Sequence, residues 1–481
     1  MKQILKLTLL FPIFTFLISC GRNAPQEEDL GNKVEERTLN FYALNDFHGS
    51  FLYDASYKQT GFSRIGKFLN DKKVADPENT FLIASGDMFQ GGAESNITYG
   101  EIVVKSMNAI GFDAMTIGNH EFDWGEDKIR SLQSKMDFPL LGFNIYYSKD
   151  NTRPDFLLPS TIIKKEGLKV GFIGAVQPNI GESILPTIAE QFVFPEQIDL
   201  IKNEAIRLKN NENCDIVIVS SHDGNADLYN DLSNKMNENE TYIDALFLGH
   251  EHQKLSGTLD NNVPYIEGGS NGEYISNISL NLKLKNNHYF VESSSSQNIY
   301  TFNELEENFV EVDNIYNNYK DEIESIRDEV LYNFDSSVSK ANFGSYISYS
   351  LLNYVNDKKI IEGVMASISI MNKGGVRDSI PSGEFTYGDL IKIYPFENAL
   401  CILEVSKEDF NYYNSTTGYY KYTGDPVLID GVYYIATIDY VAYKSNVPKN
   451  NIISFPKITC RDIVAETLKT KGYISLWDLK F

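Results

Sequence analysis

The chain has 481 residues, too many for one ordinary hydrophobic core, so two domains are expected. A hydrophobic fraction of 42%, with 13% aromatic residues, marks folded material and excludes a disordered chain. The formal net charge of −23 repels polyanions, which argues against nucleic acid or an acidic membrane surface as a partner. A small anionic ligand would need a local positive centre such as metal ions.

Lys2 and Lys6 precede an apolar run from Leu7 to Ile18, too short to span a bilayer and shaped like a secretory signal over residues 1–19. Leu17-Ile18-Ser19-Cys20 is similar to the bacterial lipobox, in which the cysteine becomes the lipid-modified first residue. That likeness implies lipidation at Cys20, a tether over 20–37, and a fold at the cell envelope facing the periplasm or the exterior. Membrane contact would be through the lipid anchor alone. Cys214 opens an apolar run and reads as a core thiol. A bond between Cys401 and Cys460 in an oxidising compartment stays open at this stage.

From Thr38 on, short apolar runs end in turns that carry metal-binding side chains. Phe41-Tyr42-Ala43-Leu44 leads to Asn45-Asp46-Phe47-His48, and Phe81-Leu82-Ile83-Ala84 leads to Ser85-Gly86-Asp87. Ala114-Met115-Thr116-Ile117 leads to Gly118-Asn119-His120-Glu121-Phe122-Asp123. Two later runs end in Ser221-His222-Asp223 and in Gly249-His250-Glu251-His252. Such runs are buried strands, and in α/β sheets a site forms beyond their carboxyl ends. All five ends are expected at one edge of one sheet. Five of the six histidines fall in these turns, and only His288 stands apart.

Gly268-Gly269-Ser270-Asn271-Gly272 is a turn, and Ser293 to Ser296 reads as a polar break. Leu305, Phe309, Val312, Tyr316, Tyr319, Ile323, Ile326 and Val330 form one apolar stripe, which predicts a linker helix about 40 Å long within 301–340. A first domain over 38–300 and a second over 341–481 flank it. In the second, a strand from Ala366 to Ile370 runs into Asn372-Lys373-Gly374-Gly375-Val376-Arg377. Paired glycines beside an arginine suit the close approach of an anion.

Carboxylate, amide and imidazole donors without thiolate suit zinc, manganese or iron as divalent ions. There are too many donors for one ion, so two ions sharing the Asp87 carboxylate are expected, a pair that activates water for displacement at phosphorus. At this point the chain resembles the calcineurin-like metallophosphoesterases, and in the order of both domains the bacterial 5′-nucleotidase / UDP-sugar hydrolase family. The resemblance implies a four-layer α/β/β/α sandwich, a linker helix and a smaller α+β substrate-binding domain. It also implies one ion on Asp46, His48, Asp87 and His252, a second on Asp87, Asn119, His222 and His250, and catalysis by His120 with Asp123 behind it. Asn372, Gly374, Gly375, Arg377 and Asn398 match the family's substrate positions, with Tyr419 and Tyr440 as aromatics against a base.

The implied activity is hydrolysis of nucleotide phosphate monoesters, with cyclic-nucleotide phosphodiesterase or UDP-sugar pyrophosphatase as enzymic alternatives and a non-catalytic binding protein as another class. Departures concern selectivity. His252 stands where many nucleotidases have Gln or Asn. Val441-Ala442-Tyr443-Lys444 replaces the family's Gly-Gly-Asp turn, and the family's extra arginines are missing.

Overall fold

The structure is a computed structural model that describes residues 35–238, 240–424 and 427–474. The expected signal segment, Cys20 and nearly all of the tether lie outside the described residues. The first strand already begins at Glu36, inside the expected tether, and Arg37 is buried with its guanidinium on Asn79, Glu78 and Lys165. Among the described residues no helix is long and apolar enough to cross a membrane.

The apolar runs form the strands Glu36–Leu44, Thr80–Ser85, Ala114–Thr116, Ile216–His222 and Ala245–Phe247. They do not share one sheet. The first three run parallel in one six-stranded sheet, and the last two run parallel in another. The expectation of a single sheet edge is therefore corrected: an apolar run marks a strand covered on both faces but does not say which neighbours it pairs with.

The two sheets pack face to face. Phe41 and Phe81 stack with ring centres 5.0 Å apart, and Phe172 of the opposite sheet meets Phe41 at 6.1 Å. Helices Phe62–Ala75 and Glu101–Ile110 cover the outer face of the first sheet, and Ile198–Asn210 covers that of the second. The product is a four-layer α/β/β/α sandwich with three apolar interfaces.

Two local expectations fail. Ser293 to Ser296 lie within the strand His288–Tyr300, an edge strand paired antiparallel with Tyr274–Lys285. Main-chain bonds hold an edge strand whose side chains face water, so a serine run need not break it. The linker helix spans only Val310–Arg327, about 27 Å. Leu305 and Phe309 precede it, and Val330 opens the strand Val330–Phe334. No Gly or Pro marks the stop. The chain turns because Glu329 O takes the Tyr387 N–H and the strand pairs with Gly383–Thr386.

The helix buries Val312 and Ile323 on the first domain. The second domain is built on a mixed five-stranded sheet ordered Tyr419–Thr423, Ala366–Asn372, Tyr433–Ile438, Ala399–Val405, Ile452–Thr459. Its core takes in Leu331, Phe334 and Val338, so this unit begins ahead of residue 341. Cys401 and Cys460 are buried, unpaired thiols.

Candidate active site

The strand ends of both sheets converge on one point, and the backbone there is strained. Asp46, His48, Asp87, His250 and His252 have φ between 47° and 83°, a region that L-residues avoid. Five such residues together mark a site whose geometry is imposed by the surrounding fold. Two glycines make room for it. A Cβ on Gly118 would lie 2.2 Å from Asp87 Oδ1, and one on Gly86 would lie 2.5 Å from His222 Nδ1.

Two donor groups result. Asp46, His48 and His252 each bring one donor atom to within 4.8 Å of the others, and so do Asp87, His222 and His250. Asn119 Oδ1 joins the second group, 3.0 Å from His250 Nδ1 and 3.2 Å from His222 Nε2. Asp87 Oδ2 lies 3.1 Å from His222 Nε2.

The fit to a cation rests on Asp46. Its Oδ2 accepts from the His250 N–H at 2.9 Å and from Asn45 Nδ2 at 2.8 Å. Its Oδ1 is buried without a hydrogen-bond partner, 3.4 Å from His252 Nε2 and 3.9 Å from His222 Nε2. A carboxylate oxygen left so is costly unless a cation completes it. The His48 and His252 Nε2 atoms also face each other at 3.1 Å, an arrangement suited to two lone pairs on one ion. Burial pushes His48 down to about 3 despite Asp87, whereas His222, equally buried, is lifted to about 10 by Asp87 and Asp46.

His120 stands beside these groups without joining them. Its Nδ1 lies 2.7 Å from Asp123 Oδ2, and because a carboxylate only accepts, Nδ1 carries the proton. Nε2 then accepts from the Arg377 guanidinium at 3.2 Å, a contact from the second domain. Burial opposes a charge on the His120 ring, but Asp123 and Asp87 outweigh it and raise the ring above its ordinary value. Arg377 lies over the Phe396 ring at 5.0 Å, and Phe396 is 5.8 Å from the His120 ring.

These residues line a cavity of about 350 Å³ between the domains. Asp87, Asn119, His120, Asp123, His250 and His252 face it from the first domain, and Asn372, Gly374, Arg377, Phe396, Asn398 and Tyr440 from the second. A second cavity of about 300 Å³ meets the same centre from the side of His48 and His252, with Ser50, Tyr57, Asn271, Lys340 and Lys392 in its lining.

Residues 39–254 match the calcineurin-like phosphoesterases, and residues 332–411 match the 5′-nucleotidase C-terminal domain. The chain joins a calcineurin-like phosphoesterase domain to a 5′-nucleotidase C-terminal domain. It is a hydrolase of that phosphoesterase class. It is 26% identical to an apyrase of Tabanus yao over 83% of this chain and 77% of that protein. It is 25% identical to a 5′-nucleotidase of Vibrio parahaemolyticus over 85% of this chain and 79% of the relative. The crystal structure of a 5′-nucleotidase precursor from Thermus thermophilus superposes with a TM-score of 0.72 at 16% identity, covering 91% of this chain and 97% of that one.

The seven metal-type residues of the phosphoesterase domain thus lie together, with His120 and Asp123 beside them. In the nucleotidase domain the picture is mixed. Asn372 lines the cavity with a buried, unpartnered Oδ1, and Asn398 has its Nδ2 fixed on Asp439 at 2.8 Å. Gly375 is buried, where a Cβ would lie 2.6 Å from Met371 Cε, so its place is in packing and not in the cavity lining. Tyr440 lines the cavity and donates its hydroxyl to Glu182 O at 3.0 Å.

Tyr419 does not reach the cavity lining. It lies on an edge strand opposite Asn372 with its ring 6.2 Å from Tyr413. In a run of consecutive tyrosines, a strand sends neighbours to opposite faces, and spacing alone cannot say which one turns inward. Phe396 and Trp124 are the aromatics that line the cavity with Tyr440, and Phe396 lies two residues before the matched Asn398. Glu121 and Gln90 had no assigned part either, although both stand in the strand-end turns.

Proposed function

We propose that the protein is a secreted, Cys20-lipidated phosphohydrolase that cleaves nucleotide phosphate monoesters, as a 5′-nucleotidase does. Two divalent ions, zinc, manganese or iron, would be held by Asp46, His48, Asp87 and His252 and by Asp87, Asn119, His222 and His250. The observation that carries the reading is the buried Asp46 Oδ1 among three imidazoles, one of which, His252, lines the cavity that both domains share. Ions held there would supply the positive centre that a chain of net charge −23 otherwise denies an anionic substrate, and would lower the pKa of a water.

The protein's own groups do the rest. Asp123 fixes the His120 tautomer and favours its charged form. Once His120 Nε2 takes up a proton, a phosphoryl group entering between it and Arg377 would take a hydrogen bond from each and replace their mutual contact. His120 then places positive charge where the leaving oxygen develops negative charge. Phe396 and Tyr440 offer flat apolar surface to a base, worth about 1–3 kcal/mol by stacking. The apyrase and 5′-nucleotidase names of the relatives support a nucleotide as substrate.

The second cavity favours a second reading, a phosphodiester such as a cyclic nucleotide or UDP-sugar with its other substituent on that side. Purified protein assayed with AMP, UMP, UDP-glucose, 2′,3′-cAMP and p-nitrophenyl phosphate in Mn²⁺ or Zn²⁺ separates the two. Chelator-sensitive turnover fastest on AMP or UMP is expected. Turnover fastest on the diesters would support the second reading, and no turnover of any ester would leave a binding protein.

A further inference from the structure

Gln90 has a place in this centre that the reading above does not use. Its main-chain oxygen lies 3.0 Å from His48 Nδ1, which orients that ring with Nε2 toward His252. Its side chain is 1% exposed, and Nε2 has no hydrogen-bond partner. Gln90 lines both cavities, as do His252, Arg377 and Pro395, so it stands at their junction.

The loop that carries it is firmly held. The Gly91 N–H donates to Asn96 Oδ1 at 2.8 Å, and Asn96 Nδ2 donates to Pro395 O at 2.9 Å across the domain boundary. A Cβ on Gly91 would lie 2.5 Å from His48 O. A buried amide donor without a partner is costly, and the held loop keeps this one at the junction of the two cavities, where a ligand oxygen would satisfy it.

The cations around it are few. Lys392 is committed to Asp54 at 2.6 Å, Lys340 lines only the second cavity, and Arg377 is the one arginine in either lining. A tetrahedral oxyanion has more oxygen lone pairs than ions, His120 and Arg377 would satisfy. We propose that Gln90 Nε2 donates a hydrogen bond to a non-bridging oxygen of the phosphoryl group bound at this centre. Gln90 is then a neutral substrate-contacting donor beside the charged Arg377. The inference rests on the phosphohydrolase reading and extends it by one residue.

Gln90→Met removes the donor while keeping the main-chain contact to His48 and much of the volume. On metal-loaded protein, calorimetric Kd for inorganic phosphate should rise about tenfold or more, with metal content unchanged. Tm without phosphate should not fall, because no hydrogen bond is lost. Gln90→Glu, with a like charge facing the oxyanion, should weaken phosphate further. Unchanged phosphate Kd in both variants, or a lower Tm with unchanged Kd, overturns the proposal. If the wild type hydrolyses esters and Kd is unchanged, the Gln90 contact fails alone. If the wild type binds phosphate through Gln90 but hydrolyses nothing, the proposed function fails and the contact stands. A wild type that binds no phosphate overturns both.

Discussion

Glu121 accepts three main-chain N–H groups, from Gly118 at 2.7 Å, Met88 at 2.8 Å and Asp87 at 2.9 Å, and so ties the third strand end to the second. Burial first, then the Asp87 carboxylate, raise it to about 7. Glu121→Gln turns an acceptor into a donor facing N–H groups and should cost about 3 kcal/mol in denaturant unfolding, with weaker metal binding. Equal stability would mean the turn holds its shape without the clamp. His120→Asn should keep the fold and metal content while turnover falls about 10²–10⁴-fold; full turnover would remove His120 from its role. The chemistry-bearing types were legible because Asp, His and Asn crowd the strand ends. The clamps were not, because the main-chain N–H groups that hold Glu121 in place carry no side-chain signature, and an unpartnered amide such as that of Gln90 is visible only once its surroundings are known.

The helix Glu101–Ile110 is held to its neighbours by a carboxylate. Glu101 pairs with Lys105 at 2.8 Å, with Lys135, and with the Tyr319 hydroxyl of the Val310–Arg327 helix at 2.7 Å. Hydrogen bonds from Lys105 and Lys135 hold it down to about 2, below its ordinary 4.5. A carboxyl lowered by folding stabilises the fold above its unfolded value and loses that contribution as pH falls through the folded one. The Tm gap between wild type and Glu101→Gln should therefore be widest above pH 4.5 and close as pH falls toward 2. A gap independent of pH would mean the contribution is not electrostatic. At this scale strands were legible from run length and burial, but their assignment to two sheets was not, because pairing is set by contacts distant in sequence. The helix end at Arg327 was hidden for a related reason: the apolar spacing continues to Val330 although the partner beyond Arg327 is a strand.

The two domains meet through polar contacts that flank the cavity. Arg327, at the end of the linker helix where the second domain begins, pairs with Glu94 of the first at 3.0 Å, both largely buried, Lys392 pairs with Asp54, and Asn96 bonds to Pro395 O. Removing one partner of a buried pair leaves the other charge unmet. Arg327→Met should thus cost about 3 kcal/mol and, by loosening the seat of the second domain, raise KM for nucleotides. Unchanged KM would mean the remaining contacts hold the domains in register. The order of domains was legible in the whole chain, whereas the cavity between them was not, since its walls come from residues hundreds of positions apart, as the His120–Arg377 contact illustrates. Metal stoichiometry coupled to activity is the decisive test of a two-ion centre in this chain. Chelator-stripped protein is titrated with Mn²⁺ or Zn²⁺ while bound metal and AMP hydrolysis are followed together. Two ions per chain are predicted, with hydrolysis appearing as the second binds and both lost in Asp87→Ala. Hydrolysis that survives chelation, or full activity with one ion or none, would contradict it.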